Sequence, residues 1–124
     1  MKIFVRAQDL GKKDKLTLAK EIKALGFDGL QLAINKAIQG ETAAYGELSE
    51  ERAQEIAKAF LNEGLEIPLI GSYFNPVHSN KELVKKNILK FKMHLEYSHF
   101  FNTLYIGSET GSYNDDKWTY NPLN

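Results

Sequence analysis

Ala24-Leu25-Gly26-Phe27-Asp28-Gly29-Leu30-Gln31-Leu32 joins a helical pattern to an apolar run through a glycine, and the reading of this junction decides the fold. A residue that tolerates left-handed geometry between two such patterns marks a helix C-cap followed by a buried strand. The junction recurs twice, as Asn62-Glu63-Gly64-Leu65-Glu66-Ile67-Pro68-Leu69-Ile70 and as Phe100-Phe101-Asn102-Thr103-Leu104-Tyr105-Ile106-Gly107. With the opening run Lys2-Ile3-Phe4-Val5-Arg6, strand starts fall about 27, 37 and 37 residues apart, the length of whole crossover units in a parallel sheet. The expected order is β-α-β-α-β-α-β. Parallel strands are expected near residues 2–7, 29–34, 66–71 and 103–107, with three helices on one side, and a fourth helix is due where the chain ends.

Composition narrows the class. A chain of 124 residues suits a single core, so one domain spanning 1–124 is expected. Sixteen basic and sixteen acidic residues cancel, which leaves no field to attract nucleic acid or an anionic membrane. Without cysteine there is no disulfide framework and no thiolate metal site. The first ten residues are interrupted by Arg6, Gln8 and Asp9, unlike a signal peptide, and no apolar run approaches membrane-spanning length. A soluble, cytoplasmic protein is expected.

Each helix is amphipathic. Leu18, Ile22 and Leu25 recur on one face of the first, with Lys15, Lys20 and Lys23 elsewhere as a solvated surface. Ser49 caps the second, Glu50 and Glu51 suit its positive end, and Ala53, Ile56, Ala57, Phe60 and Leu61 form its apolar stripe. Ser79-Asn80-Lys81-Glu82 fits a capping box for the third, which is expected to bury Leu83, Val84, Ile88, Phe91 and Leu95.

In parallel α/β folds, the loops leaving the carboxyl ends of strands converge on the face that carries the site. Here these are residues 7–13, 35–48, 71–79 and 107–121, and every polar or glycine-rich irregularity falls in them. The opposite connections are tight.

Four groups stand out. In Glu109-Thr110-Gly111-Ser112 the carboxylate can enter a shared pocket while the glycines let a ligand approach the backbone; a solvated turn is the equal alternative. In Tyr73-Phe74-Asn75-Pro76-Val77-His78, the histidine suits a sugar hydroxyl, a phosphate or a metal, but one lying beside a helix cap more often orders the helix start. Arg6, a charge in an apolar strand, must be paired or solvated, in a barrel lumen or at the strand's end. His94 and His99 are about five residues apart, the wrong spacing for a shared helical metal face, and read as structural. Asp9, His78 and Glu109 alone do not make a divalent site, so no protein metal site is expected. Phosphate-loop, dinucleotide and nucleophile-elbow motifs are absent. The residues alone give a small-molecule pocket of unknown chemistry.

Ile67-Pro68-Leu69-Ile70-Gly71-Ser72-Tyr73-Phe74-Asn75-Pro76-Val77-His78, the helix around Phe91-Lys92, and above all Ile106-Gly107-Ser108-Glu109-Thr110-Gly111-Ser112 resemble the sugar phosphate isomerase/epimerase family of xylose-isomerase-like TIM barrels. Val5-Arg6-Ala7-Gln8-Asp9 and Gly26-Phe27-Asp28-Gly29-Leu30-Gln31-Leu32-Ala33 are similar too, so the resemblance runs through the chain. It implies a partial (β/α)8 TIM barrel, the amino-terminal half of a fold that typically runs to well over roughly 200 residues. The ending Trp118-Thr119-Tyr120-Asn121-Pro122-Leu123-Asn124 resembles the loop into the family's fourth helix.

The resemblance implies that a complete relative isomerises or epimerises a sugar or sugar phosphate in carbohydrate metabolism, with a divalent metal (Mn, Mg or Zn) assisting proton transfer beside a carbonyl. The family's metal ligands and acid/base glutamates sit chiefly on later strands, so this segment alone is expected to be inactive. Glu109, Asn75, His78 and Tyr73 carry over as substrate-binding residues, and Gln8 stands where relatives often carry histidine. Two alternatives remain. One is the related apurinic-endonuclease type of barrel, a metal phosphodiesterase, although Gly71 and Ser108 stand where that branch is expected to carry imidazoles. The other is a non-catalytic half-barrel for binding or oligomerisation. If the molecule ends at residue 124, a homodimer is expected, because apolar inner residues such as Phe4, Leu32 and Ile70 and two strand edges would otherwise face water.

Overall fold

The computed structural model describes residues 1–109 and 111. Strands β1 (Phe4–Arg6), β2 (Gly29–Leu32), β3 (Glu66–Gly71) and β4 (Tyr105–Gly107) form one parallel sheet in sequential order, leaving β1 and β4 at its edges. The crossovers carry helices α1 (Lys15–Ala24), α3 (Glu50–Leu61) and α4 (Lys81–Tyr97). This α/β arrangement is that of four consecutive strands of a (β/α)8 barrel.

The three junctions behave as their sequences dictate. Gly26 and Gly64 adopt φ of 87° and 75°, and Asn102, at 52°, is the single non-glycine residue with positive φ among those described. Asparagine tolerates this geometry better than other side-chain-bearing residues. The strands are shorter than expected at four ends, both ends of β1, the end of β2 and the start of β4. At the start of the sheet the Ile3 N–H donates to Asp28 Oδ2 at 2.7 Å, so a side chain replaces a ladder partner. At β4 the Thr103 hydroxyl donates to Ile67 O at 2.7 Å, again outside the ladder.

The three expected crossover helices are all present, and shorter helical elements are added between the strands. A fourth, α2 (Ile34–Ala37), makes one turn directly after β2, and short 3-10 turns occupy Ala7–Leu10 and Ser98–Phe101. The α2 turn forms because the N–H groups of Lys36 and Ala37 both donate to Ala33 O while Ile34 and Ala37 enter the core. The helix caps also differ in one place. Asp14 and Ser49 cap α1 and α3, but α4 is capped by Asn80, whose Oδ1 accepts from the Leu83 N–H at 3.2 Å, one residue beyond Ser79.

Pairing places Leu32, Ile70 and Ile106 in one row, on the face packed against the helices. Leu32 and Ile70 are fully buried there, which overturns their expected position on an uncovered inner face; Phe4 is half-buried. The opposite face carries the row Arg6, Gln31, Leu69 and Tyr105 instead. The core is densest around α1, α3 and the sheet, where Leu18, Ile22, Leu30, Ile56 and Phe60 are all fully buried. Leu25 lies outside it, more than half exposed at the end of α1. The expected α4 stripe departs further, since Leu83, Ile88 and Leu95 are exposed, Val84 and Phe91 are half-buried, and Met93 and His94 are buried in their place. Among the described residues no helix is long and apolar enough to cross a membrane.

Candidate functional site

The carboxyl ends of all four strands point the same way, so the segments that follow them meet at one end of the sheet. The first two are tied together. Lys13 N–H donates to Ala37 O and Gln39 N–H to Lys13 O, at 3.2 and 2.8 Å, a single parallel bridge between Lys13 and Ile38. Glu41, nearly buried, then anchors the long 38–49 segment to Arg52 at 2.9 Å and to Lys15 at 3.7 Å. These contacts are ionic rather than well-aligned hydrogen bonds, since Oε2 has no partner of hydrogen-bond geometry.

The four sequence-derived site residues all lie at this end, each in a different setting. Tyr73 is half-buried, with Lys36 Nζ 5.1 Å from its ring centroid. Its ring occupies the space beside Gly71, where an added Cβ would fall 2.3 Å from the ring. Asn75 shapes its own loop, because its Oδ1 accepts from the Val77 N–H at 3.2 Å. That oxygen also lies close to Gly111, so the loops after β3 and β4 touch. His78 Nδ1 accepts from the Asn80 N–H at 3.0 Å, which orders the start of α4. Glu109 is half-buried and, with Ser108, Phe74, Pro76, Phe91 and Leu95, lines a largely apolar cleft of about 430 Å³. Phe74 and Phe91 pack edge to face at 6.5 Å and hold the wall of that cleft. Glu109 is therefore brought together with Phe74 and Pro76, while Tyr73, Asn75 and His78 lie outside that lining. Thr110 and residues 112–124, with the expected loop into a fourth crossover helix, lie outside the described residues.

Arg6 is both of the things its sequence allowed. It ends β1, is exposed, and forks onto Asp9 through Nε and Nη2, with the shortest contact 2.9 Å. Asp9 is thus engaged, and among the described residues no three carboxylate or imidazole side chains converge. Among the described residues the donor set does not fit a divalent metal.

A buried polar pair escaped the sequence reading. His94 and Ser72, each 1% exposed, meet with Nδ1 2.9 Å from Oγ, and His94 Nε2 is left without a hydrogen-bond partner. Ser72 N–H donates to Gly107 O, so the pair sits where β3 and β4 end. Burial, reinforced by the nearby charge of Lys90, pushes the imidazole down to about 4. Lys90 is itself held below the usual lysine range, first by burial and then by Lys36, with Glu109 opposing. The signal for these residues was present. Lys86, Lys90 and His94 recur at intervals of four, one polar stripe on a helix whose other stripe is apolar.

A pH dependence follows. In the folded protein His94 stays neutral down to about pH 4, whereas in the unfolded chain it takes a proton below its ordinary 6.5. The unfolded state therefore binds more protons across that window. Stability is full above pH 6.5 and falls as the pH drops toward 4, by about 1.4 kcal/mol per pH unit. Denaturant titrations of the protein and of His94→Leu, each at about pH 7.5 and about pH 5, measure the difference. Equal pH dependence in the two proteins would rule out this role.

The fold and site geometry can be set beside known proteins. A family model described as xylose isomerase-like TIM barrel matches residues 19–121. A search of curated proteins finds no match. Because the matched region spans most of the chain, taking in the second part of α1, both later crossover helices and the last three strands, the chain belongs to the xylose isomerase-like TIM barrel family.

Proposed function

We propose that a barrel built on these strands isomerises or epimerises a sugar or sugar phosphate by moving a proton beside its carbonyl, and that the segment described here supplies substrate contacts and not the acid/base pair. The observation that carries this reading is the place of Glu109. It follows β4 at the carboxyl end of a parallel sheet, in a cleft shared with the loop after β3. Family membership supports the chemistry, and the apolar wall of Phe74 and Phe91 suits one face of a sugar ring. Asn75, Tyr73 and His78 are proposed as further substrate contacts around this mouth. In a complete barrel, a divalent ion would be held by residues beyond those described. The neutral charge of the chain argues against the phosphodiesterase alternative, which needs a phosphate-backbone footprint.

The test is deuterium exchange. The purified complete barrel, supplied with Mn, Mg or Zn, is incubated in heavy water with a panel of aldoses, ketoses and their phosphates, and label at the carbon beside the carbonyl is read by NMR. Exchange with one substrate is expected, and Glu109→Gln is expected to raise KM by about tenfold with kcat little changed, the mark of a lost binding contact. Cleavage of abasic DNA without sugar exchange would overturn the reading. An equal fall in kcat and kcat/KM on Glu109→Gln would instead place that carboxylate in the chemical step.

A further inference from the structure

On the other flank of α4 from Glu109, a cleft of about 700 Å³ opens between the 38–49 segment and the first half of the helix. Three lysines from separate parts of the chain line it: Lys12, from the loop after β1, and Lys86 and Lys90, from α4. Asn35 and Asn87 add two side-chain amides. Among the described residues none of the three lysines has an ion pair, and neither amide makes a hydrogen bond.

The two carboxylates in the cleft are otherwise engaged. Glu41 is held by Arg52 and Lys15, and Glu47 Oε2 accepts from the Thr42 hydroxyl at 2.9 Å. Solvated lysines on a convex helix face are ordinary, whereas unpaired cations collected in a concavity repel one another and lack full hydration. Lys90 is the half-buried member of the three, and its burial and the neighbouring Lys36 disfavour its charge while Glu109 opposes them. An anion in the cleft would relieve that repulsion and satisfy the amides. The lining also carries the exposed apolar side chains of Tyr45 and Leu89, which suits the organic body of a small ester.

We propose that the cleft between the 38–49 segment and α4 is a binding site for a phosphate group, free or as a small phosphate monoester, held by Lys12, Lys86, Lys90, Asn35 and Asn87. This site goes beyond the isomerase reading and does not depend on it, since it neither uses Glu109 nor requires turnover.

Calorimetric titration of the purified protein with inorganic phosphate, glycerol 3-phosphate and glycerol tests it directly. Saturable binding of both phosphates is expected, with none of glycerol, and with affinity falling as salt is added. Tighter binding of glycerol 3-phosphate assigns the monoester as ligand, and equal affinity assigns the free ion. Lys12→Ala and Lys86→Ala should each weaken phosphate binding about tenfold, because both side chains are exposed and their loss leaves the core intact. Lys85→Ala, which removes an exposed lysine paired with Glu82 outside the cleft, should bind as the parent does. Circular dichroism confirms that each variant is folded. Absence of saturable phosphate binding, or equal weakening in Lys85→Ala, would overturn the proposal.

Discussion

Gly29→Ala is expected to destabilise the protein by more than about 3 kcal/mol, at the top of the range for overpacking, although it adds one methyl group. The cause is the distance between two backbones. In the pairing of β2 with β3, Gly29 lies opposite Glu66, and a Cβ there would fall 2.0 Å from Glu66 O and 2.8 Å from its C and N atoms. None of these atoms can move aside without pulling β3 from β2 at the irregular register between Gly29 and Gln31. Gly71→Ala provides the comparison. Its added Cβ would also clash, at 2.3 Å, but with the ring of the half-buried Tyr73, which can swing away. Denaturant unfolding of both variants should show the larger loss at Gly29. A Gly29→Ala protein within about 1 kcal/mol of the parent would show that the strands separate at little cost.

Phe60→Ala is expected to cost about 3 to 5 kcal/mol, much of the 5 to 15 kcal/mol that holds a typical domain folded. Phe60 is fully buried and among the largest such side chains in the core, on the face of α3 that also buries Ile56 and Ala57. Its removal takes an aromatic ring from water-free contact and leaves a cavity that the surrounding aliphatic groups fill only in part. Leu61→Ala, one position along at a half-buried site, should cost clearly less. The measurement is the denaturation midpoint, with an unchanged slope showing that the cost belongs to the native state. A loss below about 1 kcal/mol would mean that the core closes over the gap.

The sequence disclosed the sheet because its order depends on local signals that nothing distant overrides. Gly26, Gly64 and Asn102 end their helices wherever the helices pack, and the apolar runs after them have only one period to follow. What stayed hidden depends on partners far along the chain. The single turn Ile34–Ala37 is too short to show a period, and it forms because Ala33 O and the core both receive it. The facing of Leu32 and Ile70 follows from register, which an apolar run does not display. In α4 the apolar stripe was visible, but which stripe faces inward was not. His94 is buried because Ser72, twenty-two positions earlier, supplies its partner at the end of β3. At the candidate site, loop membership of Glu109, Asn75, His78 and Tyr73 was legible, whereas their directions were not. The Asn75 carbonyl turning back to Val77 and the His78 ring turning to Asn80 are settled by hydrogen bonds within the loop. The lysine cleft was illegible for a further reason, since Lys12 and Lys86 are brought together only by the folded crossovers.

The bridge between Lys13 and Ile38 bears on timescale as well as shape. The two segments it joins are long and irregular, and loops of that kind ordinarily fluctuate independently and lose freedom when a ligand orders them. Here the amides of Lys13 and Gln39 are hydrogen-bonded across the gap, and Glu41 fastens the next turn to α1 and α3 through Lys15 and Arg52. The two segments therefore open together or not at all, and their amides should exchange with solvent as one cooperative unit. Lys12 and Asn35, flanking the bridge, then meet an incoming anion with much of their ordering entropy already lost during folding, so that recognition is preorganised.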